Sequence, residues 1–412
     1  MILPCRTRSY RNHVASLRLA LLLAVILQGS VAEAIAQNKK VSSEDSPIGW
    51  LAPIPLEITA GVDFGYDDHV LGSTSTATSS GQASLFAKEN LVLSYNRGGD
   101  RTQVNVIGIG RFTQFFDAGT DDKDGNITLS LAHNFTRRLS LYVSAYNSYQ
   151  TEPDFGFDVG SENVRADHFF SNDIVSLTYH WLPRLAFVTS YAFQRIMYID
   201  APSTVTFQDR LQQTISENIE FNLTTRTKLI GQYRFEYVDY DTAPRDSTTN
   251  FLIGGFEHHL TEHLRVSLQG GESFRSFKDD GDRSDPYAQG IVQYDGSNHS
   301  LLWITSYRVE EPSVEQALVR TTIRTGVKLN WDLTSRLKSS VGLYYHHDDN
   351  DAPPPSTVTG AQDSLHFSFG LTYMINKHFS AHLTYEHNTV SSIGTQNGYS
   401  RNRYFGGVTY TY

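Results

Sequence analysis

The chain has 412 residues, with 34 Lys and Arg against 44 Asp and Glu, 23 Phe, 23 Tyr and a single Cys. One Cys excludes a disulfide scaffold and a cysteine zinc site, and a formal charge of −10 argues against nucleic-acid binding, which needs a basic face. Beyond the N-terminus no segment supplies the roughly 20 apolar residues of a membrane helix; a transmembrane β-barrel, by contrast, alternates apolar and polar residues and tolerates a mean hydropathy of −0.35.

The N-terminus reads as an export signal. Arg6, Arg8, Arg11 and Arg18 are basic, Leu19 to Leu27 is a short apolar run, and Ala34-Ile35-Ala36 offers small residues to a signal peptidase. Cleavage after Ala36 is expected, with Ala32-Glu33-Ala34 the rival site. Residues 1–36 would then be removed together with Cys5, and losing four Arg and one Glu moves the formal charge from −10 to −13. Residues 37–54 are polar and contain Pro, and read as a periplasmic tether.

From Pro55 onward the period is two. Leu56, Ile58, Ala60, Val62, Phe64 and Tyr66 fall on one face, and Glu57, Thr59, Gly61, Asp63, Gly65 and Asp67 on the other. Eighteen such runs follow in order: 55–67, 83–96, 101–116, 126–136, 139–150, 168–181, 185–199, 210–223, 229–240, 250–260, 264–277, 286–294, 301–310, 318–331, 337–347, 363–375, 379–390 and 401–412. Many exceed the usual 5–6 residues of a soluble strand and match the ~9–11 needed to cross a bilayer at a tilt. Connections alternate short and long. Short ones include 136–139, 224–228, 260–264 and 332–337; long ones, rich in Asp, Gly, Ser and Pro, include 67–82, 117–125, 151–167, 239–249, 279–285 and 348–363. The pattern predicts an all-β, antiparallel up-and-down transmembrane barrel over 55–412, of about 18 strands, or 16 if one hairpin is miscounted, with short periplasmic turns. Trp181, Trp303 and Trp331 lie near short turns, where an aromatic girdle belongs.

Motifs with catalytic or metal chemistry are weak. His259-Leu-Thr-Glu262-His263 has zinc-protease spacing but straddles an expected turn, whereas that motif needs a helix. His346 and His366 point inward on neighbouring strands and could meet at a metal, without a clear third ligand. Asp121-Asp122-Lys123-Asp124-Gly125 and Asp279-Asp280-Gly281-Asp282 faintly resemble calcium loops but read better as solvated tips. No metal, cofactor or enzymatic activity is expected.

The inward faces carry the functional signal. Arg111, Gln232, Arg234, Glu236, Gln289, Gln293, Arg320, Arg324, Lys328, His346 and His366 are the candidate pore-lining residues. Arg or Lys in lipid costs ~2–4 kcal/mol near the midplane, so these groups face water or one another. Inward Tyr142 and Tyr146 suit either sugar stacking or wall packing. Glu217 and Glu272 fall on the lipid side, implying a bulge or strand end.

The last strand ends Gly407-Val408-Thr409-Tyr410-Thr411-Tyr412. Gly407, Tyr410 and Tyr412 are spaced like an outer-membrane assembly signal, though Phe405 stands where that signal usually has a polar residue. With the recurring turns NFTRRLSLYVS at 134, HLTEHLRVSLQ at 259 and DLTSRLKSSVG at 332, the chain resembles the β-barrel porin type 2 group of bacterial outer-membrane proteins over 55–412. The resemblance implies an outer-membrane location, contact with lipid and lipopolysaccharide, insertion by the barrel-assembly machinery, and a periplasmic polysaccharide-export protein as partner. The expected function is a passive aqueous conduit for small solutes or exported polysaccharide. A ligand-binding or adhesive surface barrel with a closed lumen is the alternative. A lipid hydrolase is the third reading, and would need Ser and His adjacent near the membrane rim; none is evident.

Overall fold

The computed structural model describes residues 55–70, 81–152, 166–199, 209–241, 245–278, 281–311, 319–351, 360–391 and 398–412. The expected signal peptide and tether, and Asp279-Asp280, lie outside the described residues. Eighteen strands form one sheet: β1 (Leu56–Val70), β2 (Gln82–Gly98), β3 (Thr102–Phe115), β4 (Asp121–Asn134), β5 (Leu139–Gln150), β6 (His168–Leu182), β7 (Leu185–Tyr198), β8 (Arg210–Asn222), β9 (Thr227–Tyr240), β10 (Ser247–His259), β11 (Leu264–Phe277), β12 (Asp282–Asp295), β13 (His299–Glu310), β14 (Val319–Asp332), β15 (Leu337–Asp351), β16 (Gly360–Met374), β17 (Phe379–Val390) and β18 (Tyr399–Thr411). Each pairs antiparallel with its sequence neighbours, and β18 closes on β1 from Thr59–Thr411 to Asp67–Arg403. Closure leaves no strand edge unpaired, as a wall in lipid requires. The alternative of sixteen strands is thereby set aside.

The short turns share one device. Thr136, Thr224, Thr261 and Thr334 each accept, through Oγ1, the backbone N–H groups two and three residues ahead, at 2.9–3.2 Å. Asn376 does the same for His378 and Phe379. A local hydroxyl or amide thus satisfies donors that a tight turn would strand. His259, Glu262 and His263 lie around the Thr261 turn rather than on a helix, so the zinc-protease spacing is not assembled.

At the long-loop end the strands run further than the alternation predicts. β4 begins at Asp121 rather than 126, β10 at Ser247 rather than 250, and β15 ends at Asp351 rather than 347. Beyond the lipid both faces are wet, so pairing continues where the hydrophobic alternation has stopped. Asp122 and Asp124 are therefore inward residues of a strand, opposite Thr113 and Arg111, and not calcium-loop tips.

The outward face is apolar. Val62, Phe64, Leu91, Leu177, Ile219, Leu252, Leu268 and Leu383 are all exposed there. Trp181 and Trp331 are exposed at short-turn ends, and Phe379 and Tyr410 pack with centroids 5.0 Å apart. Glu217 and Glu272 do face outward, but no bulge accompanies them: both sit in unbroken register, opposite Tyr233 and Leu252. Neighbouring hydroxyls compensate, with Thr189 donating to Glu217 at 2.6 Å and Ser284 to Glu272.

Candidate functional site

Eighteen strands spaced ~4.8 Å apart and tilted by about 40° close a ring about 36 Å across. The interior carries the charged and polar side chains of every strand. All eleven candidates chosen from the alternation point inward, but they are not a row of free charges. Glu236, Arg320 and Arg324 join ion pairs, and Gln232, Arg234, Gln289, Gln293 and His366 join hydrogen bonds beside them.

The first wall lies at the closing seam. Arg401 on β18 grips Asp67 on β1 through Nε at 2.9 and 3.0 Å and through Nη2 at 2.5 Å. Arg403 adds Nε to the same carboxylate at 2.9 Å. Lower on the seam Asp63 meets Lys88 at 3.2 Å, His382 at 2.8 Å and the Asn90 amide at 2.8 Å. Arg111 sits opposite Asn90 and Asp124 in register. Phe405 turns inward, with Lys88 Nζ 3.7 Å from its ring centroid; this position, expected to be polar, instead packs a cation against an aromatic face.

The second wall spans β9 to β15. Arg320 bridges Glu310 at 3.2 Å and Asp348 at 3.3 Å, and Arg324 also contacts Glu310. Arg308 holds the other Glu310 oxygen at 2.6 Å. Glu236 lies 4.0 Å from Arg275. Arg234 donates to Gln232 at 3.1 Å and lies over the rings of Phe251 and Tyr287 at 5.0 and 5.5 Å. Gln289 accepts from Tyr287 at 3.2 Å, while Gln293 accepts from Arg265 and donates to Asp295 at 2.7 Å. Lys328 lies opposite Leu302 and Gly342. The two histidines share the inward face one rung apart: His346 is opposite Arg324 and Ser364, while His366 is opposite Tyr344 and bonded to Asn388. Among the described residues no group of three or more His, Cys, Asp or Glu could hold a metal. Tyr146 and Tyr142 are 0 % and 8 % exposed, which leaves no face for a sugar and makes them wall packing.

Two carboxylates that the alternation did not single out reach across these walls. Glu152, just past β5, binds Arg401 at 2.8 Å and Arg403 at 3.2 Å, both on β18. Five strand spacings separate β5 from β18, roughly 24 Å along the wall. Glu and Arg side chains do not span that distance, so the backbone at Glu152 leans into the lumen. Thr151 is drawn in with it, its N–H donating to Asp124 at 3.2 Å. Glu311, just past β13, likewise binds Arg275 on β11 at 2.5 Å and accepts from Tyr240 on β9 at 2.6 Å. Both lie outside the period-two runs, where strand reasoning has no purchase. The signal available was only their position as the first acidic residues after a strand end.

A closed ring, apolar outside and charged inside, defines a transmembrane β-barrel of the outer-membrane class. The barrel is similar to the outer-membrane protein OpdK from Pseudomonas aeruginosa, at 11% identity and a TM-score of 0.42 over 87% of this chain and 98% of that one. It is also similar to OccAB4 of Acinetobacter baumannii, at 10% and 0.42 over 90% and 100%. OccK9 of Pseudomonas aeruginosa matches at 10% and 0.43 over 87% and 98%. No family model and no curated protein matches the sequence. Likeness at this level concerns the barrel alone and carries nothing about a substrate.

Proposed function

We propose that the chain is an outer-membrane porin-like conduit that passes small hydrophilic solutes passively. The observation that carries this reading is the polar, ion-paired lumen inside a closed ring about 36 Å across. Glu152 and Glu311 narrow it near the long-loop mouth. Permeation is then set by the free width between the two walls and by the residual field of their paired charges, with Arg111, Gln232, Arg234, Glu236, Gln289, Gln293, Arg320, Arg324, Lys328, His346 and His366 as the lining. Membership of the porin type 2 group, export of polysaccharide and a periplasmic export partner are further parts of the proposal, supported by the turn and C-terminal motifs alone. So are lipopolysaccharide contact and recognition of Gly407, Tyr410 and Tyr412 by the assembly machinery.

A second reading has an observation of its own. The ties from Glu152 to β18 and from Glu311 to β9 and β11 also suit a lumen closed at rest, with the barrel acting through its surface. Single-channel recording of the folded barrel in a planar bilayer separates the two. Steady conductance with ion selectivity supports the conduit. Silence from protein shown folded by heat-modifiable gel mobility supports closure.

A further inference from the structure

The outer face at the long-loop rim holds three polar groups in series that the conduit does not use. Thr389 Oγ1 lies 2.9 Å from His387 Nε2, and His387 Nδ1 lies 2.9 Å from Asn402 Oδ1. Thr389 and His387 are two apart on β17 and so share a face, and Asn402 on β18 is the register partner of His387. The face is the outer one: Leu383, on the same side of β17, is 58 % exposed, and Tyr404, on the same side of β18, is 51 % exposed.

The hydrogen bonds fix the protons. Asn402 donates its backbone N–H and its Nδ2 to the two oxygens of Asp68, each at 2.6 Å. With Nδ2 so committed, the atom facing His387 is an acceptor, Oδ1, which also accepts from Tyr385 at 2.9 Å. His387 Nδ1 therefore donates, and in the neutral ring the Nε2 lone pair is left to accept the Thr389 hydroxyl. That is the order of a nucleophile, a general base and a group that orients the base. Ser400 Oγ, 3.4 Å from Thr389 Oγ1, is a second acceptor for the same hydroxyl.

Location names the substrate. The stacked rings of Tyr385 and Tyr404, 4.8 Å apart, lie one rung toward the short-turn end. Amphipathic rings sit at the membrane interface, so the relay, one rung farther out, faces the headgroup side of the outer leaflet.

We propose that Thr389, His387 and Asn402 form an esterase site for the carboxylic esters of outer-leaflet lipid. Thr389 Oγ1 attacks the ester carbonyl while its proton passes to His387 Nε2. The acyl–oxygen bond breaks, and the departing alkoxide takes that proton and leaves as an alcohol. Water, deprotonated by the same nitrogen, then cleaves the acyl-threonine, releasing a carboxylic acid and restoring the hydroxyl. The net reaction consumes one ester and one water. Asn402 touches no substrate and acts as a positioning residue.

The test uses the folded full-length barrel in vesicles of phosphatidylethanolamine, measuring fatty-acid release, with a short-chain p-nitrophenyl ester as a second substrate. Thr389→Ala and His387→Ala are expected to lower release at least ~100-fold, the scale of a lost nucleophile or base. Thr389→Ser, a less hindered hydroxyl, is expected to keep or raise the rate, and Asn402→Ala to lower kcat with little change in KM. Unaltered conductance in each variant shows that the barrel is intact, so this site and the conduit fail independently. Equal release by wild type and Thr389→Ala overturns the proposal. So does the absence of release on both substrates by folded wild type and Thr389→Ser.

Discussion

Replacing Arg401 with Met should destabilise the barrel by breaking a buried ion pair at the closing seam. The Arg401 and Asp67 side chains are 2 % and 0 % exposed, so water cannot take over when the guanidinium is removed. Asp67 loses a bidentate partner and Glu152 loses its contact at 2.8 Å. Breaking a buried pair from one side costs about 3–5 kcal/mol. Arg403 still reaches Asp67 at 2.9 Å and Glu152 at 3.2 Å, so the lower end, about 3 kcal/mol, is expected. Adding Asp67→Asn removes a buried charge left with one guanidinium instead of two and should recover at least ~1 kcal/mol, a coupling typical of direct partners. Urea unfolding in vesicles, with the folded fraction read from unboiled gel mobility, measures both. A loss below ~0.5 kcal/mol, the range of ordinary surface changes, would refute the reasoning. So would additive effects in the double variant.

Glu311→Gln frees the tie to Arg275 and removes a lumen anion, so single-channel conductance should rise and selectivity move toward anions; unchanged traces would mean that the tie does not narrow the path. Gly407→Val should abolish folding yield, because a Cβ there meets Asp63 Oδ1 at 2.1 Å and the Val62 carbonyl at 2.3 Å. Asp63→Ala should not rescue it, since the Val62 contact is backbone. Thr334→Ala removes the cap on Arg336 and Leu337 and should cost about 0.5–1 kcal/mol in the same urea assay, two exposed hydrogen bonds at the weak end of their range. Glu217→Leu replaces a lipid-facing carboxylate and should stabilise the vesicle-embedded barrel by about 1–2 kcal/mol.

The wall was legible in the sequence and the contacts inside it were not. Val62, Phe64 and Tyr66 declare their face because lipid admits only apolar side chains on it, and Thr136, Thr224, Thr261 and Thr334 mark turns through chemistry confined to four residues. Asp122 and Asp124 resemble loop in sequence because nothing outside the lipid enforces alternation. Arg320 and Arg324 could be placed inward from parity, yet their joint partner Glu310 is known only once β13 and β14 are in register. Glu152 and Glu311 lie past strand ends, where parity has no meaning. The Thr389–His387–Asn402 relay was missed for the same reason as Glu310: two members share a strand, but the third is identified by register across β17 and β18.

The seam also shows how a single register is chosen. Asp67 and Arg401 are 334 positions apart and meet only when the last strand docks on the first, so their pairing reports closure and cannot precede it. A slip of one residue would turn Arg401 and Arg403 outward, at ~0–1 kcal/mol each this near the interface, bring polar lumen residues of the whole strand to the lipid, and strand Asp67. A slip of two keeps every face correct, so charge direction alone does not forbid it. There the glycine decides. Asp63 lies opposite Gly407, and a two-residue slip sets it against Phe405 or Thr409 instead. Only Gly407 leaves room for the Asp63 carboxylate and the Val62 carbonyl, while Phe405 already fills its own site with Phe86. The ion pairs exclude odd slips and the glycine excludes even ones. Substituting Gly407 should therefore damage closure itself, even with Tyr410 and Tyr412 intact for any assembly factor that reads them.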